Sequence, residues 1–317
     1  MKALILAAGF GTRLRPLTLT TPKPLFPILN RPIIDITIHQ LKEAGCEAIA
    51  INTHHLAERI AGHISNQSYG VQVMNKLEPV ILGTAGAVKN LKDFWDDNPF
   101  IVINGDILTD IDLYAAYNFH KSQNTAATLV LHDLPRFNSV LVDKNEYIIG
   151  FDKPNSGCER RDNFRRLAFT GIHIMSHALL DFIPSGNFSC IIDIYQKMID
   201  LGVKIKGFIV SGHYWEDIGS LSGYRHAVRD SLAHRFQLPG VLSQAKDIFV
   251  GNDFQIGKGS RLEGWNAIGD SVIAGENCLI RDSIVWDEAI IKDGVVVEKS
   301  VIGKGRVVES PAFEVML

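Results

Sequence analysis

Residues 6–27 read LAAGFGTRLRPLTLTTPKPLFP. A short apolar run starting at Lys2 breaks at Gly9 and Gly11, and Arg13, Arg15 and then Lys23, fenced between Pro22 and Pro24, follow. Such a run reads either as a surface turn that happens to carry basic residues, or as a strand giving way to a loop whose glycines let the backbone come within hydrogen-bonding distance of an anion, with Arg13 and Lys23 adding charge. Two familiar glycine patterns do not fit. A dinucleotide fingerprint needs a third glycine where Leu14 stands and an acidic residue at a strand end about twenty residues on, whereas Asp35 falls inside a helical pattern. A P-loop needs Gly-Lys-Ser/Thr after the second glycine, and the sequence has none there.

Outward from this loop, short apolar runs alternate with helical periods. Residues 32–44 place Ile34, Ile38 and Leu41 on one face, open on a proline and stop at Gly45, which predicts a helix with both end signals. Residues 48–52 predict a strand, and 55–64, with Leu56, Ile60 and Ile64 on one side, a second helix. Runs at 71–74, 100–103, 125–131 and 169–174 continue the series. The alternation predicts a doubly wound α/β fold, a mostly parallel, Rossmann-like sheet covered on both faces, with ligands beyond the carboxyl ends of its strands.

After Pro239 the period changes. Val250, Ile256, Leu262 and Ile268 fall six apart; after a slip of one residue, Ile273, Leu279, Val285, Ile291 and Val297 do so again, with Gly257, Gly269, Gly275 and Gly303 interspersed. A beat of six predicts a β-helix in which each hexad forms one flat side and drops its aliphatic residue into a central stack. A β-sandwich would alternate without that beat. The expected domains are 1–235, a large α/β unit, and 247–310, the repeats, joined through residues 231–246.

Composition narrows the class. A chain of 317 residues with 46% hydrophobic and 21% charged residues is an ordinary globular protein, and a net charge of −3 sets up no field for nucleic acid or an anionic membrane. Cys46, Cys158, Cys190 and Cys278 are widely spaced, without a C-x-x-C pair, which argues against a disulfide framework or a structural zinc site. The apolar start is too short for a signal peptide, and no run of about eighteen apolar residues occurs. A cytoplasmic setting is expected.

The opening stretch extends further than its glycines. A-G-x-G-T-R-L-x-P-L-T at 8–18, followed by P-K-P-L at 22–25, resembles the signature of the sugar-1-phosphate nucleotidyltransferases, which make nucleotide sugars. The likeness continues through LGTAGA at 82–87, NGD at 104–106, FDKP at 151–154, FTGI at 169–172 and WEDIG at 215–219, in family order over about the first 230 residues. The six-residue repeat is also a common C-terminal addition there, as a left-handed β-helix.

The resemblance implies attack by a sugar-1-phosphate oxygen on the α-phosphorus of a nucleoside triphosphate, with release of pyrophosphate. It implies that Leu6, Ala7, Ala8, Gly9, Gly11, Thr12 and Gly105 meet the nucleotide, with Gly83 to Gly86, Thr84 among them, shaping the base pocket, although GTAGAV also reads as a tightly packed helix start. Arg13 and Lys23 would hold the phosphates, and Asp106 and Asp217 would bind Mg2+. Asp152, Lys153, Thr170 and Gly171 would contact the sugar phosphate; the family more often has Glu where Asp152 stands.

Other clusters carry less. His54 and His55 are adjacent, their side chains diverge, and no third metal ligand is evident. Arg160, Arg161, Arg165 and Arg166 read as a solvated loop. LGTAGA with a short repeat resembles mannose-1-phosphate guanylyltransferases, while NGDILTD and LAFTGIHI resemble N-acetylmuramate-1-phosphate uridylyltransferases. The favoured expectation is guanylyl transfer from GTP to mannose 1-phosphate, the alternatives being UTP-dependent or thymidylyl transfer to N-acetylmuramate or glucose 1-phosphate. A non-catalytic nucleotide-sugar sensor is the alternative of another class, against which the intact Arg13, Lys23, Asp106 and Asp217 weigh. With no histidine between Gly251 and Leu317, the repeats are read as a packing and self-association element, not an acetyltransferase site.

Overall fold

The computed structural model describes residues 1–152, 164–236 and 247–317. They form two compact units that alternate along the chain. One comprises Met1–Gly9, Thr37–Gly105 and Ile111–Trp215; the other comprises Phe10–Ile36, Asp106–Asp110 and Glu216–Leu317.

The first unit is built on a nine-stranded sheet. Strands Gln72–Leu77, Ala48–Thr53, Lys2–Leu6 and Phe100–Asn104 lie side by side and parallel, in a register that sets Leu6 opposite both Asn52 and Asn104. Ala48–Thr53 is buried at every position, which follows from a strand central to a sheet covered on both faces. Beside Phe100–Asn104 runs the twelve-residue strand Phe164–Met175, antiparallel to it, to Ala127–His132 and to Asn138–Asp143. Ile205–Val210 lies parallel to Ala127–His132, and Ile148–Phe151 forms a hairpin with Asn138–Asp143.

Helices supply the covering layer. Ile191–Asp200 turns Ile191, Ile194, Tyr195 and Met198 inward at helical spacing. They join Leu4, Ala50, Val102 and Leu129 in one core, where Trp95 stacks on Phe100 at 3.8 Å between ring centroids. Two histidines are sealed inside this unit: His173 contacts the Tyr195 hydroxyl at 2.6 Å, and His120 lies between Thr128 Oγ1 at 2.9 Å and Ser176 Oγ at 3.0 Å. Burial pushes the imidazole of His173 down to about 3 and that of His120 to about 4. The cysteines described, Cys46, Cys190 and Cys278, are free thiols.

The arginine expectation needs correcting. Arg165 and Arg166 sit in the strand Phe164–Met175, not in a solvated loop; Arg160 and Arg161 lie outside the described residues. The hairpin Asn138–Asp143 with Ile148–Phe151 was not foreseen, because its turn carries no Asn-Gly signal. It is closed by the Asp143 carboxylate, which accepts from the backbone N–H of Asn145 at 2.9 Å and of Tyr147 at 2.8 Å.

In the second unit, short parallel strands stack from Ile248–Val250 through Ala312–Phe313. Three columns of residues run through the stack. Val250, Ile268, Val285 and Ile302 form one; Ile256, Ala274, Ile291 and Val308 another; Leu262, Ile280, Val297 and Ala312 the third. The first two columns advance by eighteen, seventeen and seventeen residues per step. The six-residue beat therefore continues unbroken from Val250 to Ile280, and its first slip comes before Val285, not after Ile268 as the sequence predicts. Ile273 is 39% exposed, whereas Ala274 is 2% and Ile280 1% exposed. Successive side chains of a strand face opposite ways, and here the small Ala274 takes the inner place while Ile273 faces out, so bulk pointed to the wrong phase.

Corners of the stack carry residues in the left-handed region: Asp253, Ser271, Glu288 and Gly305 repeat it at φ 55, 55, 61 and 63°. A buried polar ladder runs beside the apolar columns. Ser283 N donates to Asn266 Oδ1 at 3.2 Å, Ser300 N to Ser283 Oγ at 3.1 Å, and Val315 N to Ser300 Oγ at 3.3 Å. Each buried side chain thus accepts from the backbone of the next coil, which removes the penalty of an unpaired polar group.

Candidate active site

In the first unit the candidate residues gather at carboxyl ends of the parallel strands. Ala7 N donates to Asn52 Oδ1 at 2.8 Å, Asn52 Nδ2 donates to Glu78 Oε1 at 2.9 Å, and Leu82 N donates to Glu78 Oε2 at 3.0 Å. Asn52 and Glu78 are buried. The relay ties the loop after the first strand to the start of helix Gly83–Asn90. Neither Asn52 nor Glu78 was singled out from sequence; the one signal is an asparagine closing the otherwise apolar run AIAIN.

The glycines differ in what demands them. Gly83 has φ 73°, and a Cβ there would lie 2.6 Å from Ser189 O, while Thr84 Oγ1 accepts from Ile191 N at 2.9 Å. The packing reading of this segment is therefore present in the fold. Gly105 N donates to Leu6 O at 2.9 Å, and a Cβ on Gly105 would sit 2.8 Å from that oxygen. Gly9 is exposed, and no atom lies within 4 Å of where its side chain would start, so nothing in the chain itself requires glycine there.

The sugar-side candidates lie in and beside the strands of the sheet. Thr170 is fully buried; its hydroxyl donates to Val130 O at 2.8 Å and its carbonyl accepts from Trp215 Nε1 at 2.8 Å. Its side chain bonds the neighbouring strand. Gly171, at φ 80°, is buried under the Asn104 amide, which lies 2.6 Å from where a Cβ would be. Asp152 Oδ2 accepts from Arg166 Nη2 at 3.0 Å, which gives Arg166 a partner the sequence did not suggest. Lys153 lies outside the described residues.

The second unit carries the charge. Gly11 adopts φ 61° and starts the turn Thr12–Leu14, and Thr18 Oγ1 donates to Gly11 O at 2.9 Å. Arg13 leaves this turn exposed. Pro22 is extended and Lys23–Leu25 form one tight turn, from which the Lys23 ammonium, largely shielded, bonds Asp106 Oδ2 at 2.5 Å. Ile218 N donates to Asp106 O at 3.1 Å, so the chain around Asp217 is fastened to that around Asp106. Asp217 Oδ1 accepts from Gly219 N at 2.8 Å. A side chain on Gly219 would collide with the Arg13 guanidinium and with Asp217 Oδ1, so this glycine lets the two charged groups converge. Arg13, Lys23, Asp106 and Asp217, distant in sequence, thus share one unit.

Among the described residues no group of three or more His, Cys, Asp or Glu is placed to hold a metal ion. Two aspartates are nonetheless a fitting donor set for Mg2+, which prefers hard oxygens and completes its shell with substrate phosphates and water. His54 Nδ1 contacts Glu78 O at 2.8 Å, a backbone contact and not a ligand set. No helix among the described residues is long and apolar enough to cross a membrane.

Comparison with known proteins identifies the family. Residues 2–234 match the family described as Nucleotidyl transferase. A UTP–glucose-1-phosphate uridylyltransferase of Synechocystis is 33% identical over 88% of this chain and 80% of its own length. A mannose-1-phosphate guanylyltransferase catalytic subunit beta of Drosophila melanogaster is 29% identical over 82% of this chain and 72% of its own. An N-acetylmuramate alpha-1-phosphate uridylyltransferase of Neisseria meningitidis is 33% identical over 72% of this chain and 96% of its own. A Bacillus anthracis protein solved with a sucrose, provisionally assigned as a glucose-1-phosphate thymidylyltransferase, superposes with a TM-score of 0.62 at 26% identity, over 75% of this chain and 96% of that one. The fold, the charged loop and these relatives together place the chain in the nucleotidyltransferase family, among the enzymes that join a nucleotide to a sugar 1-phosphate.

Proposed function

We propose that the chain transfers a uridylyl group from UTP to glucose 1-phosphate, releasing pyrophosphate. The observation that carries this choice is the 33% identity to a UTP–glucose-1-phosphate uridylyltransferase over 88% of the chain, whereas mannose-1-phosphate guanyltransferases of the same identity match over 69% of it. Guanylyl transfer from GTP to mannose 1-phosphate is the second reading; LGTAGA and the short repeat favour it.

In the reaction, an oxygen of the sugar phosphate forms a bond to the α-phosphorus while the bond to the bridging oxygen breaks, and pyrophosphate departs with the electron pair. Two anions must meet, so neutralising charge and fixing the line of attack are the main tasks. Arg13 would take the β- and γ-phosphates and assist their departure. Lys23, held by its turn between prolines, would lean on the α-phosphate; a pre-positioned lysine loses less entropy on binding. Asp106 and Asp217 are the residues that would hold Mg2+, which when bound supplies charge neutralisation at the reacting phosphates. Gly9 would bring bare backbone to the nucleotide, which supports a ligand there because no neighbour in the chain needs that glycine. Gly83, Thr84 and Gly105 would line the base site with backbone groups, and Gly171, Asn104 and Asp152 the sugar site.

The repeats, residues 247–310, are read as a left-handed β-helix following a catalytic region of 1–235, with self-association as its further use and a cytoplasmic setting. Pyrophosphate release across a grid of nucleoside triphosphates and sugar 1-phosphates, with and without Mg2+, tests the reading: highest kcat/KM is expected for UTP with glucose 1-phosphate. Preference for GTP with mannose 1-phosphate would favour the second reading, and binding without release in every pairing would leave only the sensor. Asp106→Asn is expected to abolish release while the thermal unfolding midpoint stays near wild type.

A further inference from the structure

We propose that the repeat segment positions the phosphate-binding loop, and that Trp286 is the positioning residue through which it does so. The proposal rests on the role given above to Lys23. Trp286 follows Val285 in the third coil and is buried, as are Phe26 and Tyr224. Trp286 Nε1–H donates to the Tyr224 hydroxyl at 2.9 Å, and that hydroxyl donates to Pro27 O at 2.6 Å. The three rings meet edge to face, with centroids 4.7 Å apart for Phe26 and Trp286, 5.3 Å for Phe26 and Tyr224 and 6.3 Å for Tyr224 and Trp286. Such rings favour one mutual orientation, and a hydroxyl that both accepts and donates fixes it further. Burial pushes the Tyr224 phenol up, so it keeps the proton it gives to Pro27.

Both arms of this cluster end at charged residues of the site. Phe26 N donates to Lys23 O at 3.0 Å and closes the turn that presents the lysine. Tyr224 belongs to the helix Leu221–Leu232, whose cap, Ser220, accepts from Gly223 N at 3.1 Å and directly follows Asp217 to Gly219. Two further bonds fasten the same segments to the coils: Asn30 Nδ2 to Asp270 Oδ1 at 2.9 Å, and Arg225 Nη2 to Asp282 O at 3.1 Å. The turn is closed at Phe26, and the third coil packs on that ring through Trp286. This gives the repeats a use in turnover beyond packing and self-association.

The test compares Trp286→Ala, Tyr224→Phe and Ile291→Ala in the full chain. Ile291 lies in the core of the same coils and touches none of the three rings' bonds, so its variant loses stability as a structural control. Because displacement of a catalytic group by about an ångström lowers rate by about a hundredfold, Trp286→Ala is expected to lower kcat by about tenfold to a hundredfold with KM for both substrates within about threefold. Tyr224→Phe, which keeps its ring and hence its packing, is expected to lower kcat by about tenfold, while Ile291→Ala keeps kcat. Independently of activity, hydrogen exchange at the Phe26 amide is expected to quicken in Trp286→Ala and Tyr224→Phe and not in Ile291→Ala. Unchanged kcat and unchanged Phe26 exchange in Tyr224→Phe would overturn the proposal, as would an equal kcat loss in Ile291→Ala. A wild-type chain that turns over no substrate pair would overturn the proposed function instead, and the exchange experiment would still decide the coupling.

Discussion

Acid should weaken the sheet-bearing unit through two histidines that take no part in the chemistry. The folded chain holds His173 and His120 neutral, at about 3 and about 4, because both are sealed in the core. An unfolded histidine titrates near 6.5. Below that value the unfolded chain binds protons the folded chain refuses, so stability rises with pH between about 4 and 6.5 and is lost as pH falls through the unfolded value. From pH 7 to pH 5 each site withdraws about 2 kcal/mol, and the pair about 4 kcal/mol, a large part of the 5 to 15 kcal/mol typical of a folded domain. Carboxylates contribute to any acid transition, so the informative quantity is a difference. In His120→Gln with His173→Gln, urea unfolding at pH 7, 6 and 5 should show that about 4 kcal/mol of the wild-type decline is gone. Parallel decline of wild type and double variant would refute the reasoning, as would an NMR titration of either imidazole above about pH 5.5.

The phase of the repeats is open to a paired test: Ile280→Ala, at an inner position, should cost about 2 to 4 kcal/mol, and Ile273→Ala, facing out, less than about 1 kcal/mol, read by chemical denaturation. Gly11→Ala forces an alanine to φ 61° and into Thr18, and should destabilise by about 1 to 3 kcal/mol, whereas Gly9→Ala should leave the unfolding midpoint unchanged and weaken nucleotide binding, measured by calorimetry. Glu78→Gln places an amide N–H2 against a donor, Asn52 Nδ2 or Leu82 N, inside the fold; a loss of about 1 to 3 kcal/mol is expected by thermal unfolding.

Much of this molecule was legible because its signals are local. The punctuated helix at Ile33–Glu43, the strands at Lys2–Leu6 and Phe100–Asn104 and the charged loop follow from residues a few places apart. The repeat was legible as a beat, but its phase was not, since Ala274 is small and Ile273 large and only stacking shows which faces in. The Thr170 hydroxyl is tied to Val130, forty residues away, a partner that no local pattern around FTGI reveals. Asn52, Glu78 and Trp286 act through partners remote in sequence, and no spacing rule reaches them.

The ladder of Asn266, Ser283 and Ser300 gives the stack a modular character. Each rung accepts from the backbone of the next in the same way and sits at the same point of its coil, so the arrangement is defined from one coil to the next and not by the length of the whole. A copy of one seventeen-residue coil inserted between Ser283 and Ser300 would find an acceptor below and a donor above already in place. The number of coils is therefore a property the chain can change by duplication without redesigning either end.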